Sequence, residues 1–245
     1  LKSFQNIIFL GGCEKLKRID ITKDTIEIGA ACTISELIVS LSSTFPSFTD
    51  MLLRYGAVQI RNSATIGGNI ANGSPVGDGS PALIAIGAIL KLRHAKTIRM
   101  LPIEDFFIDY GVRDLNPGEF IESILVPRDV GILKCYKVSK RFDQDISAVC
   151  GCFKLTVVEN TVTECRISYG GMAAIPKRAF RTEKKLIGSK WSLRTFETAT
   201  SEIAKDFYPI SDLRASSNYR LKVAQNLLIR LFYENSDVKV DSREV

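Results

Sequence analysis

The chain has 245 residues, 45% of them apolar and 24% charged, with a formal net charge of +6 and a single histidine. That length suits one large domain or two small ones, and the apolar content supports a sizeable core. No run approaches the roughly 20 apolar residues of a membrane span. Seven of the 33 Lys and Arg residues crowd into KRAFRTEKKLIGSKWSLR (177–194) without regular aromatic interleaving, so a solvated face or a protein contact is expected there rather than nucleic acid.

In chain order, LKSFQNIIFLGG carries no tripartite export signal and reads as a strand entered in mid-fold, so a fragment of a larger protein is expected. DTIEIGAAC alternates as a strand and runs into a helix whose start is marked by Thr33 and Glu36, a capping box. Pro46 opens a second helix through about Leu53. ATIGGNIANGSPVGDGSP (64–81) comes next, with five glycines and one aspartate in eighteen positions. Ser80 and Pro81 offer an N-cap and a first-turn proline for ALIAIGA. AILKLRHAKTIRML reads as a hairpin turning near His94–Lys96, and FIESILVP as a strand stopped by Pro127.

Beyond RDVG the pattern changes. ILKCYKVSKR, AVCGCFKLTVVEN and TVTECRISYGGM read as three antiparallel strands, with a turn near Glu159–Asn160. A helix over about 193–206 is capped by Ser192. Another over about 217–233 puts Leu221, Ala224, Leu228 and Leu231 on one stripe. The polar tail from about 235 to 245 is expected to be disordered. The fold class is therefore α+β in two lobes: a mixed α/β lobe over 1–128, then a three-stranded antiparallel sheet with helices over 129–245.

None of the six cysteines forms a C-x-x-C, so neither zinc nor an iron–sulfur cluster is expected on this chain. Cys150 and Cys152 share one face of a strand and read as small buried hydrophobes, which suits a reducing cytoplasm. No Ser/His/Asp or Cys/His constellation and no metal set is present, so no catalytic side chain is named.

The chemistry falls to the glycine stretch. Glycine lets another group approach the main chain without meeting a Cβ, and consecutive exposed amides form an anion-binding nest. In TIGGN, the amides of Gly67 and Gly68, flanked by the Thr65 hydroxyl and the Asn69 amide, suit a diphosphate. Asp78 in the following turn suits sugar hydroxyls. Two linked turns with a capping aspartate remain the plainer alternative. Neither a P-loop nor a Rossmann fingerprint is present.

AVQIRNSATIGGNIANGSPVGDGSPALIAIGAILKL closely resembles the FAD-binding segment of the molybdenum hydroxylases, and PIEDFFIDYG and PGEFIESILVP extend the likeness. YKVSKRFDQDISAV and ISYGGMAAIPKRA resemble that family's flavoprotein C-terminal domain. The likeness runs from residue 1 to about 235 and is nearest to the iron–sulfur/FAD chain of bacterial xanthine dehydrogenases. It implies that Thr65, Ile66, Gly67, Gly68 and Asn69 hold FAD through its diphosphate. It implies an aromatic near the cofactor at Tyr55, a carboxylate on its ribityl and phosphate region at Asp78, and a flavin-lining residue at Ile121. Lys137 matches a lysine beside the isoalloxazine ring, and Arg141 and Asp145 match a loop near the flavin's exposed side.

The resemblance also implies 2Fe-2S clusters and molybdopterin on other domains or chains, a molybdenum-cofactor subunit and an iron–sulfur domain as partners, and NAD as electron acceptor in purine catabolism. The family's small leading lobe, with its own diphosphate clamp, has no counterpart in these residues. Reduced FAD affinity and inactivity of this piece alone are therefore expected. A docking module without bound flavin is the alternative function.

Overall fold

The computed structural model describes residues 8–236. The expected tail from 237 onward and the first seven residues of the expected opening strand lie outside that range. The residues after position 8 do not continue such a strand: Leu10–Gly12 and Glu14–Lys17 are 3-10 turns.

The first lobe contains strands β1 (Ile19–Ile21) and β2 (Thr25–Gly29) and helices α1 (Ile34–Leu41), α2 (Pro46–Leu53), α3 (Val58–Arg61), α4 (Ile66–Asn72) and α5 (Gly79–Ile86). Strands β3 (Ile89–His94), β4 (Thr97–Pro102), β5 (Phe107–Asp109), β6 (Val112–Arg113) and β7 (Phe120–Pro127) complete it. The second lobe is built of β8 (Ile132–Val138), β9 (Val149–Val158), β10 (Thr161–Gly170), β11 (Lys177–Arg178), α6 (Phe180–Leu186), α7 (Leu193–Asp206) and α8 (Ser217–Glu234).

Two main antiparallel sheets organise these elements, beside the two-stranded β5–β6 ladder. The first runs β1-β2-β7-β3-β4, and the second runs β11-β10-β9-β8, four strands rather than the three expected. The extra strand, β11, has two residues, too short for an alternation pattern to reveal. The β3–β4 hairpin turns at Ala95, whose φ of 51° is tolerated in a tight turn. Thr33 caps α1 through the reciprocal bond with Glu36 that the spacing predicts. Ser192 caps α7 in the same way, through the amide of Thr195.

Helix α5 joins the lobes. All eight of its residues are buried, which a helix apolar on every side requires. It packs on β9 and β10 of one sheet, while the core of the other closes around Leu83, Ile84 and Ile86. Cys135, Cys150 and Cys152 belong to that same first-lobe core, as the small buried hydrophobes expected. A second core, with Phe153, Tyr169, Phe196 and Leu228, fills the space between the second sheet and α6–α8. The interface between lobes is thus continuous hydrophobic core, flanked by an ionic staple. Arg166 of β10 donates to Ile84 O at the end of α5 and pairs with Glu104 at 2.7 Å.

Candidate functional site

The glycine stretch is not a bare loop. Residues 66–72 form α4, capped by Thr65, whose Oγ1 accepts from the Gly68 amide at 3.1 Å. The Ile66 amide donates to Cys32 O and the Gly67 amide to Ala30 O. The amides of Gly67 and Gly68, expected to form an open anion nest, are therefore engaged within the protein. Ile66 itself is fully buried, so its side chain serves the core and lines no cleft.

The two glycines have different jobs. A Cβ on Gly67 would lie 2.5 Å from Ala30 Cβ and 2.7 Å from Ala30 O, so this glycine is demanded by packing. A Cβ on Gly68 would meet only Thr65 Oγ1, at 2.9 Å; this glycine is exposed and leaves a bare patch of main chain. That patch opens on a cleft of about 650 Å³, whose walls include Ala30, Ala71, Phe120 and Ile121.

A smaller cleft, about 270 Å³, lies around Tyr55, Asn69, Asp78, Lys137 and Asp145. Helix α4 contributes to both clefts. Asn69 Nδ2 donates to the Tyr55 hydroxyl at 3.3 Å, while Asn69 Oδ1 is shielded from solvent and has no partner. Gly79 makes room for that oxygen, since a Cβ there would come within 2.6 Å of it. Asp78 occupies the N-cap position of α5, with no cap bond from its side chain. The expected cap at Ser80 is therefore displaced by two residues, because Gly79 already adopts the helical first position, while Pro81 remains in the first turn.

The Asp78 carboxylate is committed elsewhere. Lys137 Nζ lies 2.5 Å from Asp78 Oδ2 and 3.1 Å from Ser147 Oγ, and Ser147 donates to Asp78 Oδ1. Both charged side chains are almost wholly buried, at 2% and 6% exposure. Strand β8 therefore does face the glycine segment from across the lobe interface. The Lys137 amine, expected beside a flavin ring, and the carboxylate, expected on a ribityl chain, satisfy each other.

Arg141 and Asp145 sit on the loop after β8 and pair with each other at 3.3 Å. The amide of Arg141, followed by that of Ile146, holds the Asp145 carboxyl below the usual range against the effect of burial. These two residues border a third cavity of about 500 Å³, shared with Lys140, Gln144, Leu213 and Arg214.

Two residues of the site escape sequence reasoning. Arg54, just past α2, donates to Phe142 O at 2.8 Å, Lys137 O at 2.7 Å and Ser139 Oγ at 3.2 Å, and its guanidinium lies 4.8 Å from the Phe142 ring centroid. It ties the β8–β9 loop to the first lobe. Ser147 bridges the buried pair. A lone arginine after a helix and a serine before a strand carry no pattern; only the placement of Tyr55 next door hinted at the first. Among the described residues no cluster of three His, Cys, Asp or Glu side chains is arranged to hold a metal, and no helix is long and apolar enough to cross a membrane.

Residues 1–129 match the family of the FAD binding domain in molybdopterin dehydrogenase, and residues 134–235 match the CO dehydrogenase flavoprotein C-terminal domain. A xanthine dehydrogenase of Dictyostelium discoideum is 32% identical over 74% of the chain, which spans only 16% of that protein's length. The glyceraldehyde dehydrogenase medium chain of Sulfolobus acidocaldarius is 28% identical over 93% of the chain and 82% of its own length. A solved carbon monoxide dehydrogenase from Hydrogenophaga pseudoflava superposes with a TM-score of 0.84 at 25% identity, over 89% of this chain and 77% of that one.

Proposed function

This chain belongs to the FAD-binding domain family of the molybdopterin dehydrogenases, and from that premise we propose that it is the FAD module of a xanthine dehydrogenase. The proposed partners are a molybdenum-cofactor subunit that hydroxylates a purine and an iron–sulfur domain with 2Fe-2S clusters, with NAD as the final electron acceptor. The resemblance to xanthine dehydrogenase over three quarters of the chain supports the purine reading. The proposed boundary between the FAD-binding lobe (1–128) and the flavoprotein C-terminal domain (129–245) falls between the strand that ends at Pro127 and the one that begins at Ile132.

The single observation that carries the cofactor reading is the surroundings of α4. Bare main chain at Gly68 opens on an apolar cleft, and on Asn69 a solvent-shielded carbonyl oxygen waits for a donor. A large ligand with flat apolar parts and hydroxyl or ring N–H donors fits both features, and FAD is such a ligand. FAD, when bound, supplies the exchange between one-electron and two-electron chemistry.

The protein's part is to hold and to bias. Thr65, Gly67 and Gly68 line the larger cleft, and the Ile66 backbone fixes their turn. Ile121 offers an apolar wall. Tyr55 and Asn69 present polar atoms to the smaller cleft, where Lys137 places an ammonium screened by Asp78. Asp145 also lines that cleft, and Arg141 pairs with it from the neighbouring cavity. The test is purification of the full-length protein with its partners, its visible spectrum, and a xanthine–NAD assay. Flavin absorbance with xanthine-dependent NADH formation supports the reading. No flavin overturns the FAD assignment, and flavin without purine oxidation overturns the substrate assignment.

A further inference from the structure

Arg220, on α8, is the largest fully buried side chain among the described residues, at 1% exposure. Its Nη1 donates to Ala148 O and to Gly171 O, the latter at 3.0 Å, and its Nη2 donates to Asp212 Oδ1 at 2.7 Å. Burying an arginine is costly unless acceptors surround it; three acceptors do so here, and the buried Nε alone is left without a partner. The two carbonyls it holds are informative. Ala148 directly follows Ser147, which bridges Lys137 and Asp78, and the Ala148 amide is fixed on Val138 O, next to Lys137. The Gly171 amide donates at 2.7 Å to Pro75 O, three residues ahead of Asp78.

The three segments that supply Lys137, Ser147 and Asp78 thus converge on one guanidinium, directly at Ala148 and through Gly171 at Pro75. We infer that Arg220 is the positioning residue of the Asp78–Lys137–Ser147 cluster: it sets the spacing of the buried ammonium and carboxylate without touching either. Gly171 makes the approach possible. At φ +80°, it is a residue whose added Cβ would fall 2.4 Å from Ala148 O and 3.0 Å from the Arg220 guanidinium. Asp212 completes the device from the loop between α7 and α8. Burial works against its charge, but the amides of Arg214 and Ala215 and the Arg220 guanidinium hold its carboxyl down to about 2. Arg220 therefore meets a full negative charge throughout the neutral range.

The effect of this spacing on a flavin rests on the FAD reading; the spacing itself does not. The experiment therefore has one arm on each. In the full chain without added cofactor, Lys137 is probed with an amine-reactive reagent and read by mass spectrometry in the native protein, Arg220→Met, Arg220→Lys and Asp212→Asn. Hydrogen exchange over β3 and β7 serves as the global control. The expected result is labelling of Lys137 at least about tenfold faster in Arg220→Met, and to a smaller extent in Asp212→Asn, with that exchange unchanged, because a loosened cluster opens the buried amine to the reagent more often.

In the assembled, flavin-loaded enzyme the same variants are expected to shift the flavin potential while keeping flavin content. Arg220→Lys should restore neither, because one ammonium cannot bridge two carbonyls and a carboxylate in the planar fork. Unchanged Lys137 labelling overturns the inference. So does labelling that rises only in step with global exchange, which marks an ordinary structural arginine. Altered labelling with an unaltered potential keeps the positioning role and counts against the FAD reading alone. Asp212 is only partly buried, so its asparagine variant keeps the test decisive if Arg220→Met does not fold.

Discussion

Lys137 and Asp78 come from different lobes, 59 positions apart in sequence, and their charged atoms meet at 2.5 Å in nearly complete burial. Such a pair is weak evidence of net stabilisation, because desolvation offsets most of the attraction. Breaking it is another matter. Lys137→Met leaves the Asp78 carboxylate buried with Ser147 alone, and a loss of roughly 3–5 kcal/mol is expected in urea unfolding. Lys137→Met combined with Asp78→Asn should recover part of that loss. A double variant that costs the sum of the Lys137→Met and Asp78→Asn losses would show that the pair is not coupled.

Arg54 shows how one residue orders a whole loop. Its guanidinium reaches the Lys137 carbonyl at the end of β8 and a carbonyl and a hydroxyl of the β8–β9 loop, and it stacks on Phe142. Arg54→Ala is expected to raise amide exchange across residues 139–146 while leaving β3 and β7 protected, since Arg54 bonds to neither of those strands. Arg54→Lys should behave nearly as badly, because a point charge cannot reproduce the planar three-way contact. Equal protection of the loop in the native protein and Arg54→Ala would remove this role.

The elements with strong local signals were legible in the sequence. The capping box at Thr33, the Ser192 cap, the β3–β4 hairpin and the α8 stripe at Ala224, Leu228 and Leu231 all stand where pattern and spacing put them. Elements defined by tertiary contact were not. Strand β11 has two residues, and α6 hides in a basic run whose helix start is set by Asp206, which accepts from the Arg181 and Thr182 amides across the lobe. TIGGN misled for a related reason. Two glycines suggest an open nest, whereas Thr65 as N-cap and Ala30 as neighbour turn the same residues into a helix with its amides occupied. Lys137 and Asp78 are drawn to one site only by the family resemblance, which gives no sign that they pair with each other.

Two strongly depressed carboxylates, Asp212 and Glu119, contribute to acid stability. The Asp212 carboxyl is held down to about 2 by the amides of Arg214 and Ala215 and by Arg220, against burial; that of Glu119 is held down to about 2, chiefly by Arg99. A depressed folded value means that the stabilisation is present above the unfolded value, near pH 4, and is lost as pH falls toward about 2. Urea midpoints are therefore expected to fall between pH 4 and 2 in the native protein. The fall should be shallower in Asp212→Asn and in Glu119→Gln, which have already lost one such contribution at neutral pH. Parallel curves for all three proteins would contradict this.

The adjacent glycines separate folding from binding. Gly67→Ala drives a methyl into Ala30 Cβ and Ala30 O at 2.5 and 2.7 Å, where backbone has to move. Overpacking of that kind typically costs about 1–3 kcal/mol, so a clear loss of stability is expected with or without cofactor. Gly68→Ala meets only Thr65 Oγ1, the α4 cap, which has to give way, while no backbone lies in the path and the methyl projects from an exposed part of α4. The fold should survive it with a smaller loss than Gly67→Ala causes. In the full-length protein with its partners, Gly68→Val is expected to lower flavin content severalfold, because its bulk fills the bare patch where the cofactor would approach. Thermal melts and the flavin-to-protein absorbance ratio measure the two effects independently. Flavin retained by Gly68→Val at the native ratio would move the cofactor off this face of α4 and leave the cleft around Tyr55, Asn69 and Lys137 as the only part of the proposed site still standing.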